Sequence, residues 1–230
     1  MSSAPCWEPP GCWRASSRAA FELGRSRGGP CVGHSSHGRA AERRCQLTWT
    51  GEDRPTKQQY FMLLALAART RADCLGRRVG AVVVRDDRVI STGYNGTPIG
   101  MPNCSEGGCH RCANRETEAY PAGRGYDLCI CVHAEQNSLL AAARFGQSTL
   151  GATLHTTMQP CFGCLKEALQ AGIVAVHYLK PWVPGGGDDE GALATQYAAL
   201  RSRFQEFSQI RLPGAQLAGV LTELTELEGS

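Results

Sequence analysis

The chain has 230 residues, 42% of them hydrophobic, and a net charge of only +3, which suits one ordinary domain with extensions. The charge is uneven: residues 1–50 carry a net +4 and the remaining 180 a net −1. A near-neutral body excludes a protein that binds duplex nucleic acid through a basic face.

Residues 1–52 are rich in Ser, Gly, Arg and Pro without a sustained hydrophobic period. They read as a disordered extension, with some likeness to an organelle transit peptide in their many Arg and few acids. No secretory apolar region follows the start, and the longest apolar run, Tyr60 to Ala68, is too short to span a bilayer. With twelve cysteines, the expectation is a cytoplasmic chain of reduced thiols, some holding metal, without membrane or nucleic-acid partners.

Order is expected over residues 53–213. Gln59 to Ala68 lacks Gly and Pro and predicts a helix. Val79 to Val84 predicts a buried strand, Arg85-Asp86-Asp87 a turn, and Arg88 to Thr92 a second strand. Gly93 to Gly100 reads as a loop, and residues 101–131, with five cysteines, as a functional or metal-pinned segment. A helix over 133–145, a strand over 152–157, a helix over 161–171 ended by Gly172 and a strand over 173–179 follow. Residues 190–205 predict a further helix, with Asp188-Asp189-Glu190 as its acidic start, and 207–212 a last strand. Residues 214–230 form an acidic tail. This alternation argues for an α/β protein, a three-layer α/β/α sandwich.

Two short motifs carry chemistry: His133-Ala134-Glu135, and Pro160-Cys161-Phe162-Gly163-Cys164 beginning 27 positions after His133. Each is weak alone. Together they match the H-x-E…P-C-x-x-C signature of zinc nucleobase deaminases. A catalytic zinc takes three protein ligands and leaves a fourth position to water. Cys161 and Cys164 are three apart, so both face one side of a helix's first turn, where partial positive charge favours thiolates. His133 opens a second helix, so two helix starts can supply His, Cys and Cys. Glu135 is then the proton carrier rather than a fourth ligand. A structural zinc closed by a further cysteine is the competing reading.

Gly93-Tyr94-Asn95-Gly96-Thr97-Pro98-Ile99-Gly100, His133-Ala134-Glu135-Gln136-Asn137 and Pro160-Cys161-Phe162-Gly163-Cys164 resemble the deoxycytidylate deaminase family, with similarity running from about Tyr60 to Leu212. The resemblance implies a cytidine-deaminase-like five-stranded mixed sheet and zinc-dependent hydrolysis of deoxycytidylate (dCMP) to deoxyuridylate (dUMP) and ammonia, which supplies thymidylate synthesis. It implies zinc ligands at His133, Cys161 and Cys164, the proton shuttle at Glu135, and a nucleotide contact from Asn95. It also implies a homo-oligomer, hexamer or dimer, and a dCTP or dTTP effector read near Gly93–Gly100. Some members hold a second, structural zinc. Cys74 and Cys131 stand at its ligand places, and Cys109 and Cys112 are favoured over Cys104, His110 and Cys129 to complete it. His155 and His177 read as core or surface residues, and Trp182, near a strand end, as a core residue or one lining a pocket. The alternatives are a deaminase of another base, a deaminase of single-stranded polynucleotide, and a non-catalytic zinc-binding module. An intact Glu135 argues against the last.

Overall fold

The structure, a computed structural model, describes residues 54–115, 117–120, 128–182 and 190–214. All belong to one unit, Trp49–Ser230. The extension 1–52, the acidic start at Asp188 and Asp189, and the tail beyond Gly214 lie outside the described residues.

Helix α1 (Lys57–Arg69) starts at a reciprocal cap. The Thr56 hydroxyl accepts from the Gln59 N–H, and the Gln59 side chain accepts from the Thr56 N–H. Its Phe61, Met62 and Ala65 are buried against Val82 and Val84 of β1 (Gly80–Arg85). The alternate residues Ala81 and Val83 enter a second core with Leu154, Leu165, Ala168 and Val176. A strand covered on both faces explains the unbroken Val run, since successive side chains point to opposite sides. Each large aliphatic side chain buried there contributes about 1.5–3 kcal/mol.

Asp86 and Asp87, with φ of 52° and 58°, turn the chain into β2 (Arg88–Tyr94). Two consecutive left-handed residues give the tight hairpin whose twist suits flanking strands. Strand β2 runs two residues past the sequence reading, because Gly93 and Tyr94 still pair with Ala81 and Gly80. Strand β3 (Thr153–Met158) lies antiparallel to β1, and β4 (Ala175–Lys180) and β5 (Glu206–Gln209) continue parallel to it. The order is β2-β1-β3-β4-β5, one mixed five-stranded sheet. Along the chain come α2 (His110–Ala113), α3 (Ala134–Arg144), α4 (Phe162–Gln170) and α5 (Glu190–Arg201). Parallel neighbours require crossovers, and α4 and α5 supply them. Residues of α3, α4 and α5 join the core on the face opposite α1, which makes the three layers. Among the described residues, no helix is long and apolar enough to cross a membrane.

Under α1, the rings of His155 of β3 and His177 of β4 lie 4.9 Å apart, centroid to centroid, tilted by 45°. Both are buried, and neither ring nitrogen of His155 has a hydrogen-bond partner among the described residues. Burial, aided by the neighbouring His177, pushes the His155 imidazole down to about 3. The unfolded chain takes that proton at about 6.5. The folded protein is therefore fully stable above that value and loses stability as pH falls from about 6.5 towards 3. Lowering the pH from 7.5 to 5.5 is expected to cost about 1 kcal/mol through His155, read as a lower urea midpoint. His155→Phe is expected to remove that part of the pH dependence, and an unchanged slope in the variant would contradict the assignment.

Candidate metal centre and active site

Two helix starts meet at the C-terminal end of β3. His133 is the residue capping α3, with extended backbone at φ −71° and ψ 157°. Cys161 caps α4 in the same way at φ −69° and ψ 173°, one step before the first turn that the sequence reading gave it, and Cys164 lies inside that turn. Several contacts hold the two starts together. A two-residue bridge pairs Gly96 with Val132, just before His133. The Gln136 side chain accepts from the His133 N–H at 2.9 Å and donates to Glu167 of α4 at 2.9 Å. The Tyr197 hydroxyl of α5 donates to the Pro160 carbonyl at 2.7 Å and accepts from Gln159 at 2.9 Å. Gly93 permits the approach of α3 to β2: a Cβ there would lie 2.2 Å from the Ala134 carbonyl oxygen.

His133 Nδ1 lies 3.3 Å from Cys164 Sγ and 3.4 Å from Cys161 Sγ, and the two sulfurs are 3.6 Å apart. Zinc–nitrogen and zinc–sulfur bonds of about 2.0–2.3 Å in a tetrahedron put ligand atoms about 3.6–3.8 Å apart. One nitrogen and two sulfurs at these separations fit a zinc ion with one position left over. The hydrogen-bonded Cys164 thiol pulls the Cys161 thiol down to about 4, with His133 assisting, while Cys164 itself is pushed up. Cys161 in turn raises the His133 imidazole to about 9. A metal entering the site displaces such protons.

Glu135 is buried, and one carboxylate oxygen is 3.9 Å from Cys164 Sγ. Burial raises it to about 7, so this carboxyl can both take and give a proton near neutral pH. The other oxygen is 3.2 Å from the Thr156 hydroxyl, which also lies 3.0 Å from the Met158 carbonyl. A hydroxyl with one proton can donate to Glu135 when it is ionised, and accept from it while donating to Met158 when it is protonated.

The site opens on a cavity of about 780 Å³, a size suited to a small organic ligand. Asn95 is in its wall, where its carbonyl accepts from the Val79 N–H and its amide donates to the Arg77 carbonyl, both at 2.7 Å. Arg77, Arg111 and Arg115 line the same cavity. Trp182 lines it too, with its ring 5.3 Å from that of Tyr197. His155 and His177 stand apart under α1, as core residues. Thr156, Tyr197 and the three arginines went unnoticed in the sequence. None carries a motif, and each reaches the site through the sheet or from a separate segment.

The four cysteines favoured for a second metal, Cys74, Cys109, Cys112 and Cys131, do not meet as one set. Cys74 gathers with Cys104, Cys112 and Cys131, whereas Cys109 gathers with Cys112, Cys129 and Cys131. His110 faces the Tyr120 hydroxyl at 3.3 Å instead.

Residues 55–180 match the family described as the cytidine and deoxycytidylate deaminase zinc-binding region. The deoxycytidylate deaminase of Schizosaccharomyces pombe is 46% identical over 127 residues, 54% of this chain and 37% of its own. That of Mycobacterium phage D29 is 42% identical over 131 residues, 55% of this chain and 97% of its own. The chain thus spans under two fifths of the length of the yeast relatives it matches. A dCMP deaminase from cyanophage S-TIM5, solved with dCMP and dUMP, superposes with a TM-score of 0.49 at 26% identity, covering 68% of this chain and 98% of its own.

Gly93→Ala is expected to push α3 off β2 and so displace His133. A fall of about 1–3 kcal/mol in stability, typical of overpacking, should accompany weaker zinc retention against a chelator. Unchanged values for both would show that the close approach is dispensable.

Proposed function

The chain belongs to the cytidine and deoxycytidylate deaminase family, and on that premise we propose that it hydrolyses dCMP to dUMP and ammonia. The observation that carries this reading is a buried Glu135 beside the open side of a His133, Cys161 and Cys164 triangle, facing a cavity walled by Arg77, Arg111 and Arg115. Those three ligands would hold one zinc ion. When bound, zinc supplies the Lewis acidity that readies a water molecule as nucleophile near neutral pH.

The chain's own residues move the protons. Glu135 accepts one from the attacking water and returns it to ring N3, then carries the second to the departing amine. A C4–O bond forms, the C4–N bond breaks, and the two water protons end on N3 and on ammonia. Thr156 holds the carboxyl in place through both protonation states. Asn95, fixed by Arg77 and Val79, borders the sugar. The cavity's guanidinium groups suit a 5′-phosphate, which Arg binds by charge-assisted hydrogen bonds.

The reading extends to a homo-oligomer, since Ile99, Phe145 and Leu150 are 90%, 73% and 74% exposed and self-association would cover them. A dCTP or dTTP effector read near Gly93–Gly100 belongs to the same reading. The eight free cysteines of the described residues support a reducing compartment such as the cytoplasm.

Ammonia release from dCMP tests the proposal. Glu135→Gln is expected to lower turnover by at least about 10²-fold, the scale of general acid–base help, with zinc content unchanged. Full activity in that variant, or no turnover by the zinc-loaded parent, would refute it. Arg77→Met and Arg115→Met are each expected to raise KM for dCMP about tenfold or more, the loss of one charged hydrogen bond, and to leave deoxycytidine turnover unaltered. An unchanged KM would place the phosphate elsewhere.

A further inference from the structure

The six cysteines around residues 74 and 104–131 form a core cluster that, among the described residues, contains no aliphatic or aromatic side chain. Cys74, Cys104, Cys109, Cys112 and Cys131 are buried, while Met101, Leu128 and Ile130 of the same segment are exposed. That inverts the usual arrangement, in which large apolar side chains go inside. Apolar burial therefore does not organise this insert. Its sulfurs come from four separate stretches of chain: Cys74 after α1, Cys104 in a single 3-10 turn (Cys104–Glu106), Cys109 capping α2 with Cys112 on it, and Cys129 with Cys131.

Their spacing is that of ligands. Cys74–Cys112, Cys112–Cys131, Cys112–Cys129 and Cys109–Cys129 sulfurs are 3.8, 3.9, 3.6 and 3.8 Å apart. Tetrahedral zinc with bonds of about 2.3 Å sets sulfurs about 3.8 Å apart. The six sort into two tetrads, Cys74, Cys104, Cys112, Cys131 and Cys109, Cys112, Cys129, Cys131, and within each every sulfur is within 4.8 Å of the others. The tetrads share Cys112 and Cys131. One ion would satisfy four sulfurs and strand two others against it. Two ions use all six, with the shared pair as bridges. The surrounding backbone also turns towards sulfur, as the Leu75 N–H donates to Cys104 Sγ at 3.4 Å. The Cys104 N–H is anchored on Asp73 at 2.9 Å.

We propose that these six cysteines hold a binuclear zinc–thiolate cluster. Cys112 and Cys131 bridge the two ions, Cys74 and Cys104 complete one, and Cys109 and Cys129 complete the other. Both ions are closed by four thiolates, so the cluster is structural. It braces the catalytic site from one side. Cys131 stands two residues before His133, and Arg111 and Arg115 of the cavity wall flank Cys112.

Elemental analysis of the full chain, purified without chelator, is expected to give three zinc ions per protomer, one at His133, Cys161 and Cys164 and two in the cluster. Cys104→Ser and Cys129→Ser should each lower the count to two, and Cys112→Ser to one. A parent holding two zinc ions or fewer, or iron with sulfide, overturns the proposal. Should the variants aggregate, cadmium-113 resonance of the metal-exchanged parent decides alone. Two all-thiolate signals that split each other support bridging, whereas a single such signal or two unsplit ones refute it. Metal count and splitting do not depend on deamination, so an inactive Glu135→Gln protein with three zinc ions would leave this inference standing.

Discussion

The whole site depends on two helices beginning at one place. Parallel pairing of β3 with β4 forces a crossover, so α4 must start where β3 ends, at Gln159-Pro160-Cys161. Helix α3 has no such obligation. It arrives because β2 carries Gly93 where Ala134 and Ser138 press against the strand, and because Val132 pairs with Gly96 one residue before His133. Each helix start brings uncompensated N–H groups and partial positive charge. Together they make a natural seat for thiolates.

The same convergence sets the state of Glu135. Being in the first turn of α3, it would ordinarily be favoured as an anion by the helix dipole. Burial outweighs this and lifts the carboxyl to about 7. Thr156 supplies a side-chain hydroxyl within reach, and its second partner, the Met158 carbonyl, lets it stay bonded whichever way the proton goes. Proton transfer then requires little rearrangement of the surrounding protein.

The elements were legible because β1 and the four longer helices have strong local patterns, and because Gly172 and the Asp86-Asp87 pair mark chain reversals. His133, Glu135, Cys161 and Cys164 were legible for a different reason: their spacing within each motif is short and the chemistry needs those residue types. Contributions from distant segments were not visible. Tyr197 reaches Pro160 from 37 positions away, and Thr156 reaches Glu135 across the sheet. Gly93 looked like a loop glycine, although its duty is close contact inside a strand. Among the insert cysteines, Cys-x-x-C spacing drew attention to Cys109 and Cys112. The geometry gives Cys104 and Cys129 an equal part, which only the folded path of the insert reveals.

Cys161-x-x-Cys164 and Cys109-x-x-Cys112 are the same local motif, yet they meet opposite surroundings. Within reach of the first are one imidazole and, at 3.9 Å, a buried carboxylate that is better suited to carrying protons than to ligation. Around the second, the tetrads add four further sulfurs, and among the described residues no carboxylate belongs to either tetrad. A metal at the first site would keep an open position on the cavity, whereas each metal at the second would be closed by four thiolates, although Cys74, Cys112, Cys129 and Cys131 also border that cavity. What separates a reactive centre from a brace is therefore the long-range fold rather than the motif. The sheet brings the first pair to a helix junction with room beside it. The insert leaves its Met101, Leu128 and Ile130 exposed, gathers its sulfurs around the second pair and presents Arg111 and Arg115 to the shared cavity.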